Sequence, residues 1–297
     1  AFLVSLFLLR FVPQQFFPSS DRPELTMDMT LPQSASIHAT QANVERMEVL
    51  LKDDPDIDHY SAYVGRGAIR FILTLNVQLA NPFFAQFVIV AKDVEARERL
   101  HAKLEKLLAE EFPDVVGYVS PLELGPPVGW PLQYRVSGPD PDEVRRIALE
   151  LADVVGTEPR SRHVNFDWME PARQLRVNVN QDQARQLGIS SAALAGTLNA
   201  AVTGTTVTQI RDDIYLINVV ARATDAERAS FESLSSLQVA TPSGHMVPLR
   251  QFVTFTEEQE LPLVWRRDRV PTLTVRADVA PGVLADTVVG DLAPRIK

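Results

Sequence analysis

Along the chain the spacing of apolar positions changes several times, and each change marks an element. Residues 24–31, ELTMDMTL, alternate as a half-buried strand does until Pro32 ends the run. Ser36 is then placed to cap a helix whose apolar positions Ile37, Val44, Met47 and Leu51 share one face, and Asp53-Asp54-Pro55 stops it. Strands are predicted over 57–64 and, after the turn Gly65-Arg66-Gly67, over 69–75, a run of bulky β-formers. A strand at 86–91 leads into a helix capped by Asp93 with the stripe Val94, Leu100, Leu104, Leu107 and Leu108, and 115–122 returns as a strand. Residues 24–124 thus hold two βαβ passes, the arithmetic of a split βαβ, ferredoxin-like sandwich with its helices on one face of the sheet.

The pattern begins again after the proline-glycine bridge 125–131. Residues 132–137 read as a strand, and Asp140-Pro141-Asp142-Glu143 as a helix start: a cap, a proline at the first helical position and a carboxylate three residues after the cap. The stripe Val144, Ile147, Leu151, Val154 follows, then strands at 163–168 and 174–179. Strand, proline turn, helix and strand pair recur in order, which predicts a duplicated supersecondary unit. From Asn180 the texture turns small and polar: a short helix ending at Gly188, a helix from Ser190 to about Val202, a loop-like stretch over 204–208, and strands at 215–221, 237–240 and 247–255. Residues 180–261 read as an inserted domain, after which a strand at 272–277 and a helix at 283–296 complete the second sandwich. The expected fold class is therefore α+β: duplicated ferredoxin-like split βαβ subdomains with an inserted α+β domain.

Two features frame this plan. Residues 1–12, AFLVSLFLLRFV, are apolar apart from Ser5 and Arg10. They are shorter than the roughly 20 residues a membrane span requires and lack the charged front and cleavage site of a signal peptide. They read as the C-terminal end of a transmembrane helix, with 13–23 as the connector into water. Composition narrows the chemistry: a formal charge of −9 argues against a nucleic-acid surface, and the absence of cysteine excludes disulfides, thiolate metal sites and cysteine nucleophiles. The histidines are scattered without ligand spacing. Met27 and Met29 share a strand face and would suit a soft cation, although methionine there is more often core filler. Gly65-Arg66-Gly67 is too short for a phosphate loop, and Ser243-Gly244-His245, without a nucleophile elbow, reads as a turn. No acid–base or nucleophile constellation emerges, so neither an enzyme nor a cofactor is expected.

Four stretches, in order, carry a resemblance: QFFPSSDRPEL at 15–25, LRVNVNQDQARQLGIS at 175–190, TPSGHMVPLRQFV at 241–253 and RRDRVPTLTVRADV at 266–279. Around a duplicated ferredoxin-like pattern with an insertion, they resemble the resistance-nodulation-division efflux transporters, in the hydrophobe and amphiphile efflux branch. The resemblance implies that 1–12 end the first membrane helix, 24–127 form the first porter subdomain, 128–179 and 262–297 the second, and 180–261 half of the docking, or funnel, domain. It implies a homotrimeric, proton-driven pump of the bacterial inner membrane. This segment would lie in the periplasm, and the pump would export amphiphilic small molecules with a periplasmic adaptor and an outer-membrane channel. The proton-relay residues would lie in membrane helices outside this sequence.

Matching strand by strand, the resemblance puts cleft-facing positions at Asp28 and Thr30, at Arg70 and Ile72, at Glu123, and at Trp130, Asn165, Asp167 and Val264. Read as residues alone, Asp28, Arg70 and Asp167 fit solvent-facing strand positions equally well, and Trp130 fits a seal over the bridge. The resemblance also implies that a loop holding the trimer together falls at Gly204, Gln209, Arg211, Asp212, Asp213 and Tyr215. The competing readings are a related transporter of lipids or envelope precursors and a membrane-anchored binding or scaffold module without transport.

Overall fold

The computed structural model describes residues 20–122, 125, 129–168 and 170–296. The apolar lead-in at 1–12 and Glu123 lie outside the described residues.

The first sandwich is built from β1 (Glu24–Thr30), α1 (Ile37–Leu51), β2 (Ile57–Val64), β3 (Phe84–Ala91), α2 (Val94–Glu111) and β4 (Val116–Pro121). The predicted caps form. Ser36 Oγ accepts the Ala39 amide at 3.2 Å and Asp93 Oδ1 accepts that of Ala96 at 2.7 Å, each satisfying an orphan donor of the first turn. The sheet order is β2-β3-β1-β4, with antiparallel pairing of β1 to both neighbours and of β2 to β3. This is the split βαβ arrangement, because each helix crosses one strand position. Leu100, Leu104 and Leu108 on α2 and Val44, Met47 and Leu51 on α1 close over Leu25, Met27, Met29, Phe87 and Ile89. Fully burying each of these side chains is worth about 1.5–3 kcal/mol.

One expected element is absent: residues 69–75 do not form a strand, and 65–83 are instead a long connection between β2 and β3. Its ends meet, since the Gly65 amide donates to Phe84 O and the Asn81 amide to Gly65 O, both at 2.8 Å. The enclosed stretch is a compact Ω-type strap. The run of bulky β-formers that suggested a strand leaves Ile69 and Leu73 exposed at 77% and 83%. They pair with no strand: both sides of β3 are taken by β1 and β2, and the segment does not add to the outer edge of β2.

The second sandwich opens with β5 (Leu132–Ser137), α3 (Pro141–Gly156) and β6 (Ser161–Phe166). The chain then leaves for β7 (Ala172–Val179), α4 (Gln181–Gln186), α5 (Ser191–Val202), β8 (Thr205–Asp212), β9 (Tyr215–Ala221), α6 (Asp225–Ala229), α7 (Phe231–Ser236), β10 (Gln238–Ala240), β11 (Met246–Pro248) and β12 (Val253–Glu260). It returns with β13 (Arg266–Arg267), β14 (Val270–Val279) and α8 (Ala285–Leu292). Strand β14 lies between β5 and β6, antiparallel to both, as β3 lies between β1 and β2. The duplicated unit is thus visible as topology, with its third strand supplied from beyond the excursion. Asp140 caps α3 with Pro141 in the first turn, and the helix packs Val144 and Ala148 on Leu273, Val275 and Trp168.

The excursion is a compact unit of its own, Arg173–Glu260. Strand β7 pairs with β12 rather than with the second sandwich. The chain therefore enters this unit at Arg173, earlier than the change of texture at Asn180 suggested. Its core gathers Ala184, Ile189, Leu194, Val239, Val247, Leu249, Phe252 and Val253. The stretch expected to be loop-like at 204–208 is mostly strand, because β8 and β9 form a hairpin with register Thr205↔Ala221 to Asp212↔Tyr215. Gly204 opens the hairpin at φ +102°, and a Cβ there would stand 2.6 Å from Val220 Cγ1, so backbone and space both demand glycine. No helix among the described residues is long and apolar enough to cross a membrane.

Candidate functional site

Period-two alternation on β1 divides its side chains between two environments. Leu25, Met27 and Met29 have no exposure and belong to the core, whereas Thr26, Asp28 and Thr30 face a cleft of about 870 Å³. The same face of the sheet contributes Gln86 from β3 and Val116, Tyr118 and Ser120 from β4, the cross-strand partners of Thr26, Asp28 and Thr30. The strap covers one flank with residues 74–81, while Gly129, Trp130, Pro262, Leu263, Trp265 and Arg276 supply the second sandwich's wall. The two sandwiches belong to one compact unit. The walls mix aliphatic and aromatic side chains with many polar ones, a lining that suits a molecule with both an apolar body and polar groups.

Two polar centres stand in this cleft. At the first, Gln86 Nε2 donates to Asp28 Oδ1 at 2.7 Å while Gln86 Oε1 accepts the Ala68 amide at 2.8 Å, so one buried amide ties the carboxylate to the root of the strap. Burial pushes the Asp28 carboxyl up to about 6, and the Gln86 hydrogen bond opposes that rise. Gly67 permits the close approach: a Cβ there would lie 2.8 Å from Gln78 Cβ and 3.1 Å from Gln86 Oε1. Nearby, Thr74 Oγ1 and Gln33 Oε1, both lining the cleft, are buried without a hydrogen-bond partner among the described residues. At the second centre, Arg276 Nε donates to Asn165 Oδ1 at 2.9 Å, and Nη2 donates to the Phe166 carbonyl. The guanidinium stands 5.7 Å from the Trp130 ring centroid, and Trp130 packs on Tyr118 at 4.6 Å. Burial lowers the Arg276 pKa, and the charge of Asp167 partly offsets this.

Of the expected cleft positions, Asp28, Thr30 and Trp130 line the cavity. Asn165 stands one contact behind its wall, as the acceptor for Arg276. Asp167 is occupied in the backbone, its Oδ1 accepting the Thr274 amide at 2.8 Å, and Val264 packs on the second sandwich's core. Arg70 and Ile72, expected on a strand, are on the strap and not among the cleft-lining residues. The Arg70 guanidinium bonds weakly to Leu75 O at 3.4 Å, and Ile72 packs on Ala68, Leu75 and Leu122. The hairpin holds Gln209, Arg211 and Asp212 on β8, Asp213 in its two-residue turn at φ +52° and Tyr215 on β9, with Gly204 at its base. Sequence reasoning missed Gln86, Tyr118, Trp265 and Arg276. Gln86 and Arg276 carried a signal, since each is a large polar residue inside an otherwise apolar strand, FAQFVIVA and VPTLTVRADV.

Comparison with known proteins places this geometry. Residues 1–293 match the AcrB/AcrD/AcrF family. The multidrug resistance protein MdtC of Pectobacterium carotovorum subsp. carotovorum (strain PC1) is 23% identical over 248 residues, covering 82% of this chain and 23% of MdtC. Two crystal forms of a heavy metal efflux pump superpose with TM-scores of 0.78 and 0.80 at 20% and 21% identity, each covering 99% of this chain and 31% of the pump. The chain thus spans less than a third of the length of these relatives. With the duplicated split βαβ topology and a family match over almost its whole length, the chain belongs to the AcrB/AcrD/AcrF family of resistance-nodulation-division efflux transporters.

Proposed function

We propose that this chain is the periplasmic, cargo-receiving part of a proton-driven efflux pump for amphiphilic compounds, working as a homotrimer in the inner membrane with a periplasmic adaptor and an outer-membrane channel. The observation that carries the reading is the cleft between the two sandwiches, with aromatic and aliphatic walls, two buried polar centres and a strap along one flank. A chamber between two separately cored bodies changes volume when the bodies shift, and this gives alternating access without unfolding either.

The β8–β9 hairpin fits the trimer part of the reading. Ile214, Tyr215 and Leu216 at its tip are exposed at 78%, 67% and 59%, a surface suited to burial against a neighbouring subunit. A soft-metal cargo, suggested by the heavy metal efflux pumps of the same fold, is not favoured. Met27 and Met29 point into the first core, away from the cleft.

The test is export by the full-length protein that carries this chain, expressed with its adaptor in a pump-deficient Gram-negative host. Accumulation of a fluorescent amphiphile is expected to fall several-fold and to recover when a protonophore collapses the gradient. Unchanged accumulation across several dyes, with expression and assembly verified, would count against amphiphile export and favour a lipid-like cargo or a module without transport.

A further inference from the structure

Among the described residues, Arg276 is a cation of the cleft with no ion-pair partner. Arg276 lies on the central strand of the second sandwich, and two of its nitrogens serve the wall, Nε bonding Asn165 and Nη2 bonding the Phe166 carbonyl. Its Nη1 has no hydrogen bond and its charge no ion pair among the described residues. Asp167, the nearest carboxylate by its electrostatic effect, is held by the Thr274 amide and does not reach it. A largely buried guanidinium is costly when unpaired, and the cost falls when an oxyanion takes its open edge. Guanidinium geometry matches carboxylate and phosphate in particular. Trp130 braces one face of the group, and Leu263 and Trp265 offer apolar surface in the same cleft.

We infer that Arg276 is the headgroup subsite of the cleft and selects amphiphiles bearing a carboxylate or phosphate, whose apolar body lies along the aromatic wall. The inference rests on the cleft's being the cargo compartment. It adds the sign of the cargo's charge and the residue that reads it. Arg276 is a binding residue here, held in place by Asn165 and the Phe166 carbonyl, while Asp28 shares the cavity and disfavours an anion that approaches its end.

The experiment measures binding of three probes to the purified full-length protein: a dansyl-labelled fatty acid, the matching alkyl phosphate and the matching alkyl trimethylammonium. The wild-type protein is expected to bind at least one anionic probe several-fold more tightly than the ammonium probe. Arg276→Gln should weaken that anion about tenfold or more, the loss of a charge-assisted hydrogen bond, and leave the ammonium probe unchanged or slightly tighter. Arg276→Lys, which keeps the charge but loses the planar fork and its bonds to Asn165 and the Phe166 carbonyl, should fall between wild type and Arg276→Gln for the anionic probe. If only the phosphate or only the carboxylate responds, that outcome supports the subsite and names its headgroup. Equal weakening of all three probes, no weakening of either anion, or no anion preference in the wild type overturns it. Because binding is read apart from export, probes that bind with this pattern but are not exported refute the transport reading alone. Export that Arg276→Gln leaves intact for every probe refutes the subsite alone.

Discussion

Trp168→Ala is expected to destabilise the chain by about 3–5 kcal/mol, the usual loss when a fully buried indole is truncated. Trp168 is 1% exposed and sits between Val144 and Ala148 of α3 and Leu273 and Val275 of β14. Its indole Nε1–H donates to the Thr272 carbonyl at 2.8 Å. Truncation opens a cavity between helix and sheet and also leaves that buried carbonyl without its partner. The residue follows β6 and anchors to the strand that arrives only after the excursion. Its loss therefore strikes the join between the two halves of the second sandwich. Denaturant titration of the purified chain, following tryptophan fluorescence and far-UV circular dichroism, reads the loss as a lower midpoint. Trp168→Phe should recover most of the packing but not the hydrogen bond, and should fall between the two. A midpoint unchanged by Trp168→Ala would mean that the second sandwich is not cored as described.

The second large effect is pH-dependent and belongs to Asp28. Its carboxyl titrates in the fold at about 6, raised by burial above an ordinary value of 3.8. Between those values the folded chain keeps a proton that the unfolded chain has lost, so stability falls as pH rises through this window. The loss is complete above pH 6 and amounts to something on the order of 3 kcal/mol for a shift of this size. Asp28→Asn removes the titration and keeps an acceptor for Gln86. The variant should match wild type near pH 4 and exceed it by a few kcal/mol at pH 8, as read from denaturation midpoints at both pH values. A gap that is constant with pH, or that closes as pH rises, would contradict a buried, cleft-facing carboxyl.

Much of this architecture was legible in the chain because local signals and burial agree. Ser36, Asp93 and Asp140 cap the helices they were expected to cap, and the stripes Val44-Met47-Leu51 and Leu100-Leu104-Leu108 face the core. What misled was pattern without a partner. Ile69, Phe71 and Leu73 belong to a run of bulky β-formers, but both sides of β3 are taken, and the segment does not add to the outer edge of β2 and becomes the strap instead. The boundary near Arg173 was hidden for a related reason, since β7 has ordinary strand composition and only its pairing with β12 assigns it to the inserted unit. At the site, the alternation of β1 sufficed to place Asp28 and Thr30 opposite Met27 and Met29. Arg276 and Gln86 escaped notice because their roles depend on contacts across more than a hundred residues and across a sheet, to Asn165 and to Asp28. No spacing along the sequence encodes such contacts.

The proposed passage of cargo through the cleft between the sandwiches can be tested by cysteine chemistry, since the sequence has no cysteine of its own. Thr30→Cys and Thr74→Cys place a thiol on two walls of the cleft, and Asp142→Cys places one on the exposed start of α3. In a cysteine-free version of the full-length protein, a bulky maleimide at position 30 or 74 should abolish export of a fluorescent amphiphile. A methylating thiol reagent at the same positions should leave most of it, cargo should slow labelling there, and labelling at 142 should change nothing. Export that survives complete bulky labelling at both cleft positions would contradict the claim.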